Sequence, residues 1–469
     1  MPAGKTCFVN KPEAYPHQVA EQAFAHVPKR ALFWSPRIGK TRGTADSLVT
    51  AERRKTLVIA PLAACSIWKR QLELEGFEVA TLYNTPTESA LARLVALPES
   101  HKVAAVVNFH RLPQPAWKHM QLADVLRSWR PDSVVIDESH YISSPSSRWA
   151  NATRKIAWDA PWVRCLSGTP APNNWGSLWG GLSALDPGEW GWYFKPFAQK
   201  YLVTDPIFPR RVLAYREPEL FKTNLDRYCN FVRREDVFGP DQWVPGVRIV
   251  ELPPRARSLY DQLAREWLIE EEDPQLLVDG SHILTRMLRL QEIASGYVAP
   301  ADGLGRRDVH TAKLDAVIAD LSEIVMSREK AVIFHRFTWE AQQLTERVAE
   351  LCPFRIMNGD SSPDDRDETV RLMREAPGAF VAIVQTQSGG IAIDFSEASH
   401  ALVLSQSFSF VQEQQARDRI YKRNAVRHVM YYQAEDTVDG FIAHALTTKL
   451  DMHNDLFKID RKVIAHGTA

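Results

Sequence analysis

Short apolar runs separated by amphipathic stretches recur along the chain, and both halves repeat the alternation. In the first half the runs are Ala31–Trp34, Thr56–Ala60, Val103–Asn108, Ser133–Ile136 and Val163–Ser167. In the second they are Ala331–His335, Ala379–Gln385, Ala401–Leu404 and His428–Gln433. Runs that are apolar throughout, rather than at every second position, predict strands buried on both faces. Strands alternating with helical patterns predict an α/β fold with two parallel sheets, not a sandwich or a bundle. Between them, from about residue 187 to 310, the pattern turns helical, aromatic and charged without comparable strands, and predicts insertions and a linker. Tryptophans and aromatics at Trp175, Trp179, Trp190, Trp192, Tyr193 and Phe194 are expected to pack these inserted helices onto the first sheet, with stacking on exposed bases as the alternative. No short-period repeat or low-complexity tract interrupts the pattern.

A chain of 469 residues is long enough for two or three compact domains. With 45% hydrophobic and 24% charged residues it falls outside the disordered class. The longest apolar stretch, near Leu57 to Trp68, is shorter than the roughly 20 residues that span a bilayer, so no membrane partner is expected. The opening MPAGKTCFVNK has no apolar segment behind its lysines, so neither a secretory leader nor a lipidation motif is expected, and the expected location is cytoplasmic. Five cysteines without a C-x-x-C pair read as reduced thiols. Lysine plus arginine equals aspartate plus glutamate at 57 each, so nucleic-acid binding would have to come from a local groove. The acidic run Glu270 to Asp273 reads as a solvated helix end.

After the run ending at Trp34, Ser35-Pro36-Arg37-Ile38-Gly39-Lys40-Thr41 leads into a helical pattern, the context a phosphate-binding loop requires. Backbone N–H groups at a helix start can cradle phosphates, Lys40 can neutralise the β and γ oxygens of ATP, and the Thr41 hydroxyl can ligate Mg2+. Arg37, Ile38 and Gly39 complete the candidate loop, with Trp34 where the usual pattern has its first glycine. A second Gly-Lys-Thr at Gly4 to Thr6 has no strand ahead of it to aim the loop. Ninety-seven residues after Lys40, the run Val134-Val135-Ile136 delivers Asp137-Glu138-Ser139-His140. Asp137 at a strand end can hold Mg2+, and Glu138 can take a proton from the water attacking the γ-phosphate.

Together these segments resemble the superfamily two helicases, and more narrowly the Swi/Snf-type DNA translocases, over residues of about 12 to 452. Tyr15-Pro16-His17-Gln18 resembles the adenine-reading motif, with Gln18 in the recognition position. Ala60-Pro61-Leu62 followed by Trp68 resembles motif Ia, and Asn108-Phe109 motif Ib, both of which touch nucleic acid in that family. Ser167-Gly168-Thr169-Pro170 with Asn173 resembles motif III, which couples the nucleotide site to the nucleic-acid groove. Phe231-Val232-Arg233-Arg234 resembles the entry to the interlobe connection. Lys313 and Ile333-Phe334-His335-Arg336-Phe337 resemble the opening of the second lobe. Asn358-Gly359-Asp360 and Thr386-Gln387-Ser388-Gly389-Gly390 resemble motifs IVa and V. Gln415-Ala416-Arg417-Asp418-Arg419 resembles motif VI, whose arginines act as fingers on the phosphates.

The resemblance implies two RecA-like lobes in tandem with helical insertions between them: lobe 1 over 1–232 with an insertion from about 187, a linker over 233–252, and lobe 2 over 253–469 with an insertion to about 310. It implies a DNA-dependent ATP hydrolase moving on double-stranded DNA, with branched or single-stranded DNA as further partners and ATP and Mg2+ at the site. Arg419 would be the finger, with Lys422 or Arg423 as the second. Gly390 and Gln415 would join Ser167, Gly168 and Thr169 in coupling. Pro61, Lys69, Arg70, Asn108, Arg111, His335, Arg336, Thr386, Ser388 and Gly389 would meet the nucleic acid. The chain departs from the family pattern in four places: Arg37 replaces a glycine, Lys422 stands where the second arginine falls, and Ala392 and Asp394 replace glycine and asparagine in motif V. A strand-separating helicase, a motor subunit of a restriction-type complex and a nucleotide-gated binding module are the alternatives. The compact form is closer to bacterial or virus-encoded versions than to large chromatin remodellers, which places it in a bacterium or a virus-infected host cell, with a nuclear location as the alternative.

Overall fold

The computed structural model describes residues 13–84, 87–97, 101–117, 120–206, 212–271, 280–299, 305–386 and 393–458. The chain divides into two compact units, the first running to Pro240 and the second over Asp241–Leu456.

The first unit is built on a seven-stranded sheet: β1 (Lys29–Trp34), β2 (Lys55–Ala60), β3 (Glu78–Thr81), β4 (Val103–Asn108), β5 (Ser133–Ile136), β6 (Trp162–Leu166) and β7 (Cys229–Val232), in the order β7-β1-β6-β5-β2-β4-β3. Every pairing is parallel. β1, β6 and β5 are neighbours, with Leu32 opposite Leu166 and Cys165 opposite Ile136, so the three chain segments leaving them emerge side by side at one end. Helix α1 (Pro16–Gln22) precedes β1, α2 (Lys40–Thr50) follows it, and α3 (Leu62–Leu74) follows β2. α3 buries Cys65, Trp68 and Leu72, spaced three and four apart on one face, while Leu62, Ile67 and Leu74 stay exposed.

The second unit repeats the scheme with six parallel strands: β8 (Trp243–Val250), β9 (Lys330–His335), β10 (Phe354–Met357), β11 (Phe380–Gln385), β12 (His400–Val403) and β13 (Arg427–Ala434), in the order β8-β13-β12-β9-β11-β10. Two apolar clusters cover its faces, one around Leu314, Ile333, Trp339 and Leu402 and the other around Phe334, Val384, Phe395 and Val403. The α/β class and the two parallel sheets therefore match expectation, and all nine expected strands exist with ends shifted by at most two residues.

Two expectations need correction. The pattern of residues 187–310 predicts no comparable strands, yet they hold β7 and β8, each an edge strand of a main sheet. The stretch 233–252, read as a linker, contains a short helix Arg234–Phe238 in the first unit and all of β8 in the second. β8 contains Pro245 and Gly246, which broke the apolar pattern; an edge strand tolerates both because one side of its backbone makes no ladder. The inserted aromatics pack as expected: Trp175 stacks on Tyr215 and Phe221, and Trp179 and Trp190 are buried. Trp192 and Tyr193 remain exposed. Among the described residues no helix is long and apolar enough to cross a membrane, and Cys65, Cys165, Cys229 and Cys352 form no disulfide.

Candidate functional site

β1 runs into the segment Ser35–Gly39, and α2 starts at Lys40 with Gly39 as its N-cap. Gly39 sits at φ +83°, which demands glycine, and a Cβ there would lie 2.2 Å from Gln18 Nε2 and push that amide aside. No side chain caps α2, which leaves its first-turn N–H groups for a ligand. Arg37, standing where the family has glycine, adopts φ +66°, a left-handed conformation that costs a side-chain-bearing residue on the order of 1–2 kcal/mol. Lys40 Nζ donates to the carbonyls of Trp34 at 2.8 Å and Ser35 at 3.4 Å, arched over its own loop.

At the end of β5, Asp137 is 7% exposed. Its Oδ1 accepts from the Glu138 backbone N–H at 2.9 Å and its Oδ2 from the Trp68 indole N–H at 2.8 Å. Burial first, and then the charge of Glu138, push the Asp137 carboxyl up to about 6, against the pull of Trp68, Lys40 and the Glu138 N–H. Glu138 takes the opposite course. Burial alone would raise it, but His140, Lys40 and the Gly168 N–H outweigh burial and hold it down at about 2. Glu138 also occupies a left-handed backbone position, φ +50°. The result is an ionised carboxylate able to accept a proton, beside one that a neighbouring cation would return to its ionised form.

At the end of β6 the turn Ser167-Gly168-Thr169 is buried. A Cβ on Gly168 would lie 2.9 Å from Pro36 and 3.3 Å from Lys40 Nζ, so this turn presses on the phosphate-type loop. His140 Nδ1 lies 3.2 Å from Glu138 Oε2, 3.1 Å from Ser167 Oγ and 3.5 Å from Thr169 Oγ1. The three adjacent strand ends thus bring Lys40, Thr41, Asp137, Glu138, Ser167, Gly168 and Thr169 into one cluster. The sequence gives His140 no role beyond its place in the Asp137-Glu138-Ser139-His140 tetrad and places Trp68 only in a nucleic-acid motif; the 65/68/72 spacing on α3 is the signal that Trp68 faces inward.

Gln18 is buried with its amide already engaged: Oε1 accepts from the Tyr15 N–H at 2.8 Å and Nε2 donates to the Gly39 carbonyl at 3.0 Å. His17 Nε2 lies 2.8 Å from the Ile38 carbonyl, and the ring meets Trp34 edge to face. In this conformation the adenine-motif residues brace the loop.

Several expected nucleic-acid contacts are not on the surface. His335 is 1% exposed and Arg336 8%; the Arg336 guanidinium donates to Gln291 Oε1 at 2.9 Å and lies over Phe408. Pro61, Asn108 and Thr386 are buried, and Thr386 Oγ1 donates to the His335 carbonyl at 3.1 Å. Arg111 is half-buried and donates to Thr87 Oγ1 at 3.1 Å. Lys69 is half-buried and Arg70 exposed on α3. Ser388, Gly389, Gly390 and Ala392 lie outside the described residues.

In the second unit, Arg419 closes the helix Phe410–Arg419 and is buried, with Gln415 half-buried on the same helix. Lys422 bonds both oxygens of Glu397, at 3.0 and 2.9 Å, and Arg423 is exposed. The Asp394 carboxylate caps its own turn by accepting the Ser396 N–H at 2.9 Å.

Residues 12–216 match the family profile described as SNF2-related domain, and residues 313–424 match the helicase conserved C-terminal domain. A putative protein p41 of Acyrthosiphon pisum secondary endosymbiont phage 1 is 26% identical over 453 residues, covering 90% of this chain and 93% of the phage protein. The DNA annealing helicase and endonuclease ZRANB3 of Homo sapiens is 23% identical over 344 residues, covering 70% of this chain but 30% of ZRANB3, so this chain spans under a third of that relative. A solved Sulfolobus solfataricus SWI2/SNF2 ATPase core in complex with dsDNA is 18% identical and covers 95% of this chain and 93% of its own, with a TM-score of 0.42. The phosphate-type loop, acid pair and buried Ser-Gly-Thr turn fall inside the first profile and Arg419 inside the second; the chain carries an SNF2-related domain followed by a helicase conserved C-terminal domain.

Proposed function

We propose that the chain is an ATP-driven translocase that moves along double-stranded DNA, with remodelling, branch migration or reannealing as its output. The observation that carries the reading is the convergence of Lys40, Glu138 and the Ser167–Thr169 turn on one end of three adjacent strands, bridged by His140.

The uncapped start of α2 suits the phosphates of ATP, with Lys40 leaving its carbonyl partners for the β and γ oxygens. The donor set fits magnesium, since Thr41 offers a hydroxyl and Asp137 a carboxylate, both hard oxygens. When bound, magnesium supplies charge that offsets the phosphate oxygens. Glu138, ionised and anchored by His140, accepts the proton of the attacking water. His140 also reaches Ser167 and Thr169, so a change at Glu138 is felt in the turn that presses on the loop. By its motif match Arg419 would act as the arginine finger on the γ-phosphate. Lys69 and Arg70 on α3 are the phosphate-backbone contacts, joined by the motif V segment.

The test is ATP turnover without DNA, with single-stranded DNA and with duplex DNA, followed by displacement of a triplex strand and of a duplex strand. Duplex-stimulated turnover with triplex displacement is expected, weakening linearly in log–log terms as salt rises because phosphate contacts release counterions. Displacement of the duplex strand would favour a strand-separating helicase. Turnover indifferent to DNA, or stimulation indifferent to salt, would overturn the reading.

A further inference from the structure

A buried indole usually finds a partner for its N–H, and the undemanding one is a backbone carbonyl; the Trp179 and Trp190 N–H groups, also buried, have none among the described residues. Trp162 uses the Ala25 carbonyl at 2.8 Å and Trp158 the Ser183 carbonyl at 2.7 Å. Trp243 and Trp339 donate to Asp241 and Asp308, of which the first is half-buried and the second exposed. Trp68 differs from all four. Itself 0% exposed, it spends its donor on Asp137, a carboxylate that is buried and stands at a strand end beside the phosphate-type loop. With the Glu138 N–H on the other oxygen, each Asp137 oxygen has one donor from the chain and keeps lone-pair capacity for something else.

We propose that Trp68 is a positioning residue: its indole N–H fixes the Asp137 carboxylate in the orientation that a magnesium–nucleotide complex requires, and it ties that carboxylate to α3, the helix that carries Lys69 and Arg70. The inference rests on the proposed ATP-dependent function and goes beyond it. A carboxylate that meets an ion through a lone pair must be held against rotation about its own Cβ–Cγ bond, and two donors at 2.8 and 2.9 Å do this. The indole sits on the apolar side of α3, among Cys65, Leu72 and the sheet, so the donor is rigid. Because Lys69 and Arg70 follow Trp68 directly, any tilt of α3 that moves the basic pair also moves the donor on Asp137.

The experiment uses the full chain and a fluorescent ATP analogue, mant-ATP, whose binding is followed while Mg2+ is titrated. Trp68→Phe keeps one aromatic ring, gives up the second ring of the indole and deletes the N–H. Losing an outer partner of a metal-binding carboxylate is expected to raise the Mg2+ concentration at half-saturation by about 10- to 100-fold. Leu72→Ala, on the same buried face but with no donor to give Asp137, is expected to lower the melting temperature and leave that midpoint in place. If Trp68→Phe does not fold, incorporation of 3-benzothienylalanine at position 68, isosteric with sulfur in place of N–H, reads out the same bond. A folded Trp68→Phe or benzothienyl protein with the wild-type midpoint overturns the inference, as does an equal shift in Leu72→Ala. Wild-type protein whose nucleotide binding ignores Mg2+ overturns the proposed function along with it.

Discussion

Lys313 was matched to the opening of the second lobe, but it faces no solvent. It is 0% exposed, and its Nζ lies 2.8 Å from Asp439 Oδ2, on a side chain 5% exposed. The same carboxylate oxygen accepts the Ala434 N–H at 3.0 Å, so the pair ties the helix Ala312–Met326, the end of β13 and the helix Val438–Lys458 together. Lys313→Met strands a buried carboxylate with a single N–H donor, and Asp439→Asn strands a buried ammonium. Breaking a buried pair from one side costs about 3–5 kcal/mol. At about 2–4 °C per kcal/mol for a unit of this size, either single variant should melt roughly 6–20 °C lower. The double variant Lys313→Met with Asp439→Asn removes both charges, and the Asn carbonyl can still accept the Ala434 N–H. Its loss should therefore be smaller than that of either single variant. Calorimetry and urea unfolding of the second unit's transition, read as a double-mutant cycle, check this. A double variant that loses the sum of the singles, or singles within about 1 kcal/mol of wild type, would refute the account of this pair.

Arg419→Ala should cut hydrolysis by about 10³- to 10⁵-fold while leaving ATP binding largely intact; near-normal turnover in a single-turnover assay removes Arg419 from the finger role. Glu138→Gln should slow hydrolysis by about 10²- to 10⁴-fold and trap bound ATP, visible as retained nucleotide after rapid filtration. Burial pushes the Glu413 carboxyl up to about 7, against the pull of the Ser407 N–H, which donates to it at 2.6 Å, and of Arg336. Its folded form holds a proton that the unfolded chain has released above its ordinary carboxylate range, so this group's contribution falls as pH rises from there through about 7. Glu413→Gln, which can still accept the Ser407 N–H, should accordingly gain in melting temperature relative to wild type at pH 8 but not at pH 5; a difference independent of pH would contradict the shift.

Much of the fold was legible because a parallel sheet buries its strands on both faces, leaving apolar runs such as Val103–Asn108 that need no partner to be recognised. β3 and β10 were missed because Glu78-Val79-Ala80-Thr81 and Phe354-Arg355-Ile356-Met357 carry polar residues at sheet edges. β8 was missed because proline and glycine interrupt it. At the site, loop and acid pair were legible from chemistry and context, whereas the inward turn of Arg336 was not: a basic residue beside a motif reads the same whether it meets a phosphate or Gln291. Trp68 shows the same limit in reverse, since a motif match named its neighbourhood and only the helix spacing named the face it turns.

β7 and β8 have a consequence for how the protein comes into being. β1, which carries the phosphate-type loop, is paired on one side by β6 and on the other by β7, whose residues follow nearly two hundred positions later. β8 opens the second unit and finds its mate in β13, the last strand of that sheet. Each sheet therefore stays unclasped during synthesis until its final strand leaves the ribosome, and a nascent chain stopped short of Cys229 displays the nucleotide strand as a bare edge that other chains can zip onto.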